Sequence, residues 1–192
     1  MIVFFFGDSL TLGYGDETGL GWPGRITASL AKNGKDITGY NLGVRKDTTI
    51  RLQDRWLSEA APRTIDGMES RFVFSFGVAD IMNDVPLQES LKAARNILST
   101  AQAKGDVLFI GPPPVSDTHK NTRVKSLAVE IARLCDELAI PAISTFDSME
   151  SSAVYEQALS DGDTVHPTAA GYIALADSIL KHKAARTFFG LE

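Results

Sequence analysis

Ser9, Asp163 and His166 have the residue types and the surroundings for nucleophilic chemistry. Ser9 stands in MIVFFFGDSLTLGYG, where an apolar run stops at Gly7 and an acid and a hydroxyl follow. A serine just past a strand end commonly closes a turn or caps the next helix. The same placement presents a nucleophile if a base lies within hydrogen-bond reach and a third group orients that base. The chain offers three histidines. His119 follows a proline-rich loop with only Asp117 nearby, and His182 sits between two lysines near a helix end. His166 lies in SDGDTVHPTAAGY, three residues after Asp163 and just before the last helix. In a loop that spacing brings carboxylate to imidazole without help from distant structure. A carboxylate there fixes the tautomer and stabilises the imidazolium formed when a serine gives up its proton. For the pair alone, a role in organising the start of the helix is an equal alternative.

The elements around these residues decide whether they meet. Ile2–Phe6 is a short continuous apolar run, as in a strand buried on both faces. Further strands are expected at Ile37–Leu42, Arg71–Phe76, Val107–Ile110 and Ile140–Ile143. Helices are expected from Trp22 to Asn33 and over 48–60, 87–103, 120–138 and 168–183. Pro167 suits the start of the last one. Strands alternating with helices imply a parallel sheet covered on both faces, joined by right-handed crossovers. Sites in such sheets lie beyond the carboxyl ends of the strands. Ser9 and His166 therefore belong to the same rim. Gly43, which ends the second strand in NLGVRKDT, lets backbone approach a substrate there, or simply makes a turn.

The chain has 192 residues, 44% of them hydrophobic, and a formal charge of −5. It contains no internal repeat or long linker, and one domain over residues 1–192 is expected. Acidic balance and scattered Lys and Arg argue against a nucleic-acid or anionic-membrane partner. The densest basic cluster, Lys181-His182-Lys183 with Arg186, suits the end of a helix. Cys135 is the single cysteine, set among apolar residues at helical spacing, and reads as a buried core thiol. No segment has the length of a membrane span, and the opening apolar run lacks the form of a leader. A cytoplasmic location is the expectation. No cluster of metal-ligand type stands out, and no cofactor is expected.

These features together resemble the GDSL family of esterases and lipases, also called SGNH hydrolases. Gly7-Asp8-Ser9-Leu10 matches the family's first block, Gly43 the glycine of the second, and Asp163-Thr164-Val165-His166 the Asp-x-x-His of the last. The resemblance implies a flavodoxin-like three-layer α/β/α sandwich with five parallel strands in the order 2-1-3-4-5. It implies Ser9 as nucleophile, His166 as base and then acid, and Asp163 as its partner. It also implies the Ser9 and Gly43 amides as oxyanion donors, with a small-molecule ester as substrate. Short-chain, aryl, thio-, lysophospholipid and sugar acetyl esters all belong to that class. Without a long lid, the cleft is expected to be open, with Trp22 and Pro112-Pro113-Pro114 as candidate lining.

One block departs from the pattern. The family expects Gly-x-Asn-Asp after the third strand, and this chain has Gly77-Val78-Ala79-Asp80. Ala79 cannot supply the side-chain donor of the asparagine, a loss typically worth about 10²–10³ in turnover. Three accounts stay open. Another group donates instead, with Arg45 the first candidate and Asn83 the second; the alanine is an introduced substitution; or the chain binds without catalysing. A different class, a flavodoxin-like nucleotide or flavin binder cradling phosphate in GDSLTLGYG, lacks the P-loop arrangement and leaves Asp163 and His166 without a role.

Overall fold

A computed structural model of the protein describes residues 1–191. The chain begins with β1 (Ile2–Gly7), α1 (Ser9–Leu12), α2 (Gly21–Lys32), β2 (Thr38–Gly43) and α3 (Thr49–Ala60). It continues through β3 (Ser70–Ser75), α4 (Val78–Met82), α5 (Leu87–Gln102), β4 (Asp106–Ile110) and α6 (Thr118–Glu137). The last third holds β5 (Ala142–Ile143), α7 (Phe146–Glu150), α8 (Ala153–Asp161), α9 (Ala169–Lys181) and α10 (Lys183–Phe189).

The five strands form one parallel sheet in the order β2-β1-β3-β4-β5. Helices α2 and α9 pack together on one face, and α3, α5 and α6 form the layer on the other. This is the parallel sheet covered on both faces expected from the alternation of elements, with the three-layer form and strand order that the resemblance implies.

β1 is central, which explains why all six of its residues are buried. Phe5 faces one layer and meets Trp22 edge-on, 5.6 Å between centroids. Phe4 and Phe6 face the other, stacking on Phe72 and Phe74 of β3 at 5.3 and 5.5 Å. Trp56 of α3 closes over Phe6, Phe72 and Phe74. Full burial of each large apolar side chain stabilises the sheet centre by roughly 1.5–3 kcal/mol. Gly7 aligns with Gly43 of β2 and with Ser75 of β3. The segments that follow these three strands therefore leave the sheet side by side.

Several expectations change. Trp22 is a core residue at 1% exposure, held by Phe5 rather than facing a cleft. Pro112, Pro113 and Pro114 are also buried, and the Pro114 carbonyl accepts from the Tyr155 hydroxyl. The helix expected over 168–183 ends at Lys181, and His182 is the N-cap of a separate helix, α10, accepting the Ala184 N–H. Helices α7 and α8 occupy a segment to which the sequence pattern assigns no helix or strand. Cys135, by contrast, is fully buried as expected, and that burial pushes its thiol up to about 12.

Candidate active site

The turn after β1 is built around two glycines. A Cβ on Gly7 would lie 2.0 Å from the Ser75 carbonyl oxygen and 2.2 Å from Thr11 Oγ1. A Cβ on Gly43 would lie 2.1 Å from the Leu12 nitrogen. Only glycine lets α1 settle onto the ends of β1 and β2 this closely. Gly43 thus makes room for backbone, where its sequence position alone also allowed room for a substrate. Asn41 fastens the same junction: its Nδ2 donates to the Thr11 and Leu12 carbonyls at 3.0 and 3.2 Å. Asn41 Oδ1 accepts the Gly43 N–H at 3.1 Å.

Asp8 caps α1 by accepting the Leu10 N–H at 2.9 Å. Its other oxygen accepts the Ala79 N–H at 3.3 Å. Burial raises the Asp8 carboxyl to about 7, against the opposing pull of those two N–H donors. Ser9 follows, half-buried. Its Oγ lies 2.7 Å from His166 Nε2, across 157 positions of sequence.

His166 is held from several directions. Its Nδ1 lies 2.8 and 3.0 Å from the two oxygens of Asp163. Asp163 Oδ1 also accepts the backbone N–H groups of His166 (2.8 Å) and Val165 (3.1 Å). Partial burial raises the Asp163 carboxyl, but bonds from the His166 ring, the His166 N–H and the Val165 N–H outweigh it. The net position is below the usual carboxylate range. Thr164 within this turn adopts φ +72°, a left-handed conformation that costs on the order of 1–2 kcal/mol for a side chain of its kind. The Thr164 N–H donates to Leu159 of α8, and its carbonyl accepts from Ser116 after the proline run. The proline loop and α8 therefore support this turn rather than line a cleft.

A second brace comes from the loop after α1. The Tyr172 hydroxyl of α9 donates to the Tyr14 carbonyl at 2.7 Å. Glu17 accepts the Ala169 N–H at the start of α9 at 2.9 Å. The Tyr14 ring then meets the His166 ring edge-on, 4.8 Å between centroids. Tyr14, Glu17, Asn41 and Tyr172 were not singled out in the sequence. Apart from the Asn41–Gly43 contact, the side-chain partners named for them lie 29 to 158 positions away, so no local pattern announces those contacts.

Ala79 sits in the first turn of α4, 6% exposed, and presents a methyl group. The two candidate replacement donors have other neighbours. Asn83 Nδ2 donates to the Ala79 carbonyl at 2.7 Å. The Arg45 guanidinium lies over the Tyr14 ring, with Cζ 3.7 Å from the centroid. Asp80, the last residue of that block, is fully buried and accepts from Thr49 N–H, Thr49 Oγ1 and Ser90 Oγ at 3.0, 3.0 and 2.6 Å. It ties α4 to α3 and α5. Among the described residues, no group of three or more His, Cys, Asp or Glu is placed to share a metal ion. Among them, too, no helix is long and apolar enough to cross a membrane.

Residues 5–174 match the GDSL-like Lipase/Acylhydrolase family. The chain belongs to that family. It is a GDSL-type ester hydrolase, and the fold is the one the family's solved structures share. A lipolytic protein of the G-D-S-L family from Veillonella parvula superposes with a TM-score of 0.78 at 19% identity, covering 95% of this chain and 98% of that one. The acetylxylan esterase Axe2 from Geobacillus stearothermophilus gives 0.77 at 18% identity, covering 100% and 94%. The lipase/acylhydrolase from Enterococcus faecalis gives 0.77 at 24% identity, covering 98% and 95%. At these identities the likeness speaks for the fold. No curated protein matches the chain in sequence.

Proposed function

We propose that the protein hydrolyses small carboxylic esters through an acyl-serine intermediate, with Ser9 as nucleophile. The observation that carries this reading is the 2.7 Å contact between Ser9 Oγ and His166 Nε2, with Asp163 on the opposite ring nitrogen. The Asp163 carboxylate accepts from Nδ1–H, which leaves the Nε2 lone pair facing the Ser9 hydroxyl. As Ser9 attacks the ester carbonyl, its proton passes to Nε2, and Asp163 stabilises the imidazolium. Nε2 then protonates the leaving alcohol. Water, deprotonated by the same nitrogen, attacks the acyl-serine and restores the enzyme.

The oxyanion is held by backbone amides. Among the described residues the Ser9 N–H donates to no protein acceptor, so it is free to donate to the oxyanion. The Gly43 N–H is the second donor, and a charged oxyanion competes for it against the neutral Asn41 Oδ1. A two-donor hole makes turnover slower than the family's three-donor arrangement allows. Leu12 and Tyr14, three and five residues after Ser9, are 38% and 36% exposed, which fits an open cleft that takes small or exposed acyl groups. The test is p-nitrophenyl acetate hydrolysis by the chain as it stands and by Ser9→Ala. Loss of turnover in a folded Ser9→Ala supports the reading; a folded Ser9→Ala that keeps its rate overturns it.

A further inference from the structure

Arginines in this protein are generally matched to an acid: Arg25 to Asp16, Arg55 to Asp47, Arg71 to Glu69 and Arg123 to Asp84. Arg45 is exposed, and among the described residues no carboxylate pairs with it. Its position is nevertheless set. Its guanidinium lies 3.7 Å from the centre of the Tyr14 ring, within the range of a cation–π contact. Tyr14 is itself pinned on both sides of its peptide. Its N–H donates to the Ser9 carbonyl at 3.0 Å, and its carbonyl accepts from Tyr172 at 2.7 Å. The loop that carries Arg45 is anchored at both ends as well. The Val44 N–H donates to the Gly7 carbonyl at 3.0 Å, and the buried Asp47 pairs with Arg55 at 2.7 Å. In a chain of net charge −5, this is an ordered cation with unused donors, one aromatic ring away from the base.

We infer that Arg45, on its Tyr14 platform, forms a subsite for an anionic group on the alcohol portion of the ester. The inference rests on the proposed role of His166. The leaving alcohol must lie against His166 Nε2 to receive its proton. Tyr14 meets the same imidazole edge-on, and Arg45 covers the Tyr14 face. A carboxylate or phosphate separated from the ester oxygen by about one ring's width would reach the guanidinium. Arginine suits either anion, because its fork of N–H donors bonds two oxygens at once. The arrangement uses Arg45 to recognise substrate rather than to hold the oxyanion.

The experiment compares three acetyl esters of similar size: 4-acetoxybenzoate, 4-acetoxyphenyl phosphate and the neutral 4-acetoxybenzamide. A fourth, p-nitrophenyl hydrogen glutarate, carries its charge on the acyl side. The unsubstituted chain should prefer one or both anionic acetyl esters over the amide, and the better of the two identifies the anion. Arg45→Gln should reduce that preference by roughly tenfold, mainly through KM, as expected for loss of a charge-assisted contact. No preference in the unsubstituted chain overturns the inference. So does a preference confined to the glutarate, or an Arg45→Gln variant that lowers kcat equally on charged and neutral esters. Ser9→Ala separates this from the underlying reading: it abolishes turnover of every ester if Ser9 is the nucleophile, whatever Arg45 does.

Discussion

Asp8 Oδ2 accepts the N–H of Ala79 at 3.3 Å, so the residue before Ser9, the proposed nucleophile, reaches directly to the residue where the family resemblance expects an asparagine donor. The backbone that would carry an asparagine is thus tied to the turn that carries Ser9. On the two-donor reading proposed above, only the side chain is missing. Ala79→Asn should therefore raise kcat on p-nitrophenyl acetate by about tenfold or more, with little change in KM, because the donor acts on charge that develops in the transition state. An unchanged or lower kcat in a folded variant contradicts the two-donor hole.

Asp8 also makes a prediction about pH. Its carboxyl is raised from 3.8 to about 7, chiefly by burial. Between those values the folded protein holds a proton that the unfolded chain has released. This contribution to stability is present below about 4 and is lost as pH rises through about 7. Asp8→Asn should flatten the fall in urea midpoint over this interval. Asp47 and Asp80 are also raised by burial, so part of the slope should remain. A slope unchanged by Asp8→Asn would show that Asp8 ionises normally.

Gly43→Ala tests the packing of α1 on β2. The new methyl group would meet the Leu12 nitrogen at 2.1 Å, and backbone cannot rotate aside as a side chain does. The variant should lose on the order of 2 kcal/mol or more of stability by denaturant unfolding. It should also lose turnover on every ester, because α1 begins with Ser9. Full stability would contradict the close approach.

Tyr172→Phe removes the hydroxyl that donates to the Tyr14 carbonyl. The expected cost is about 1 kcal/mol. With its platform loosened, the variant should also lose part of its preference for 4-acetoxybenzoate over 4-acetoxybenzamide. Wild-type stability and preference together would show that Tyr14 is held by its other contacts.

Much of the arrangement was legible in the sequence for local reasons. The apolar run Ile2–Phe6 marked a central strand, and its glycine end marked the rim where Ser9 emerges. The three-residue interval from Asp163 to His166 lies within one turn, so their contact needs no knowledge of the fold. The distance from Ser9 to His166 did require the fold, because it depends on how α9 packs against α2. The support for His166 was hidden for the same reason. Tyr14 and Tyr172, or Glu17 and Ala169, are paired only by tertiary packing. Trp22 misled because an aromatic beside a glycine-rich turn suits a cleft as well as a core. The buried face of α2 decided between them. Asp80 showed the reverse: a residue of a family block whose observed contacts bind three helices together.

The central claim is that Ser9, activated by His166, becomes acylated. The most direct measurement is mass spectrometry of the protein after incubation with a p-nitrophenyl alkylphosphonate, which leaves a stable phosphonyl group on an activated serine. The account predicts one adduct, carried on the peptide that contains Ser9. It should be absent in Ser9→Ala and formed at least about 10³-fold more slowly in His166→Ala. An adduct on another residue, or equal labelling of Ser9 with and without His166, would contradict it.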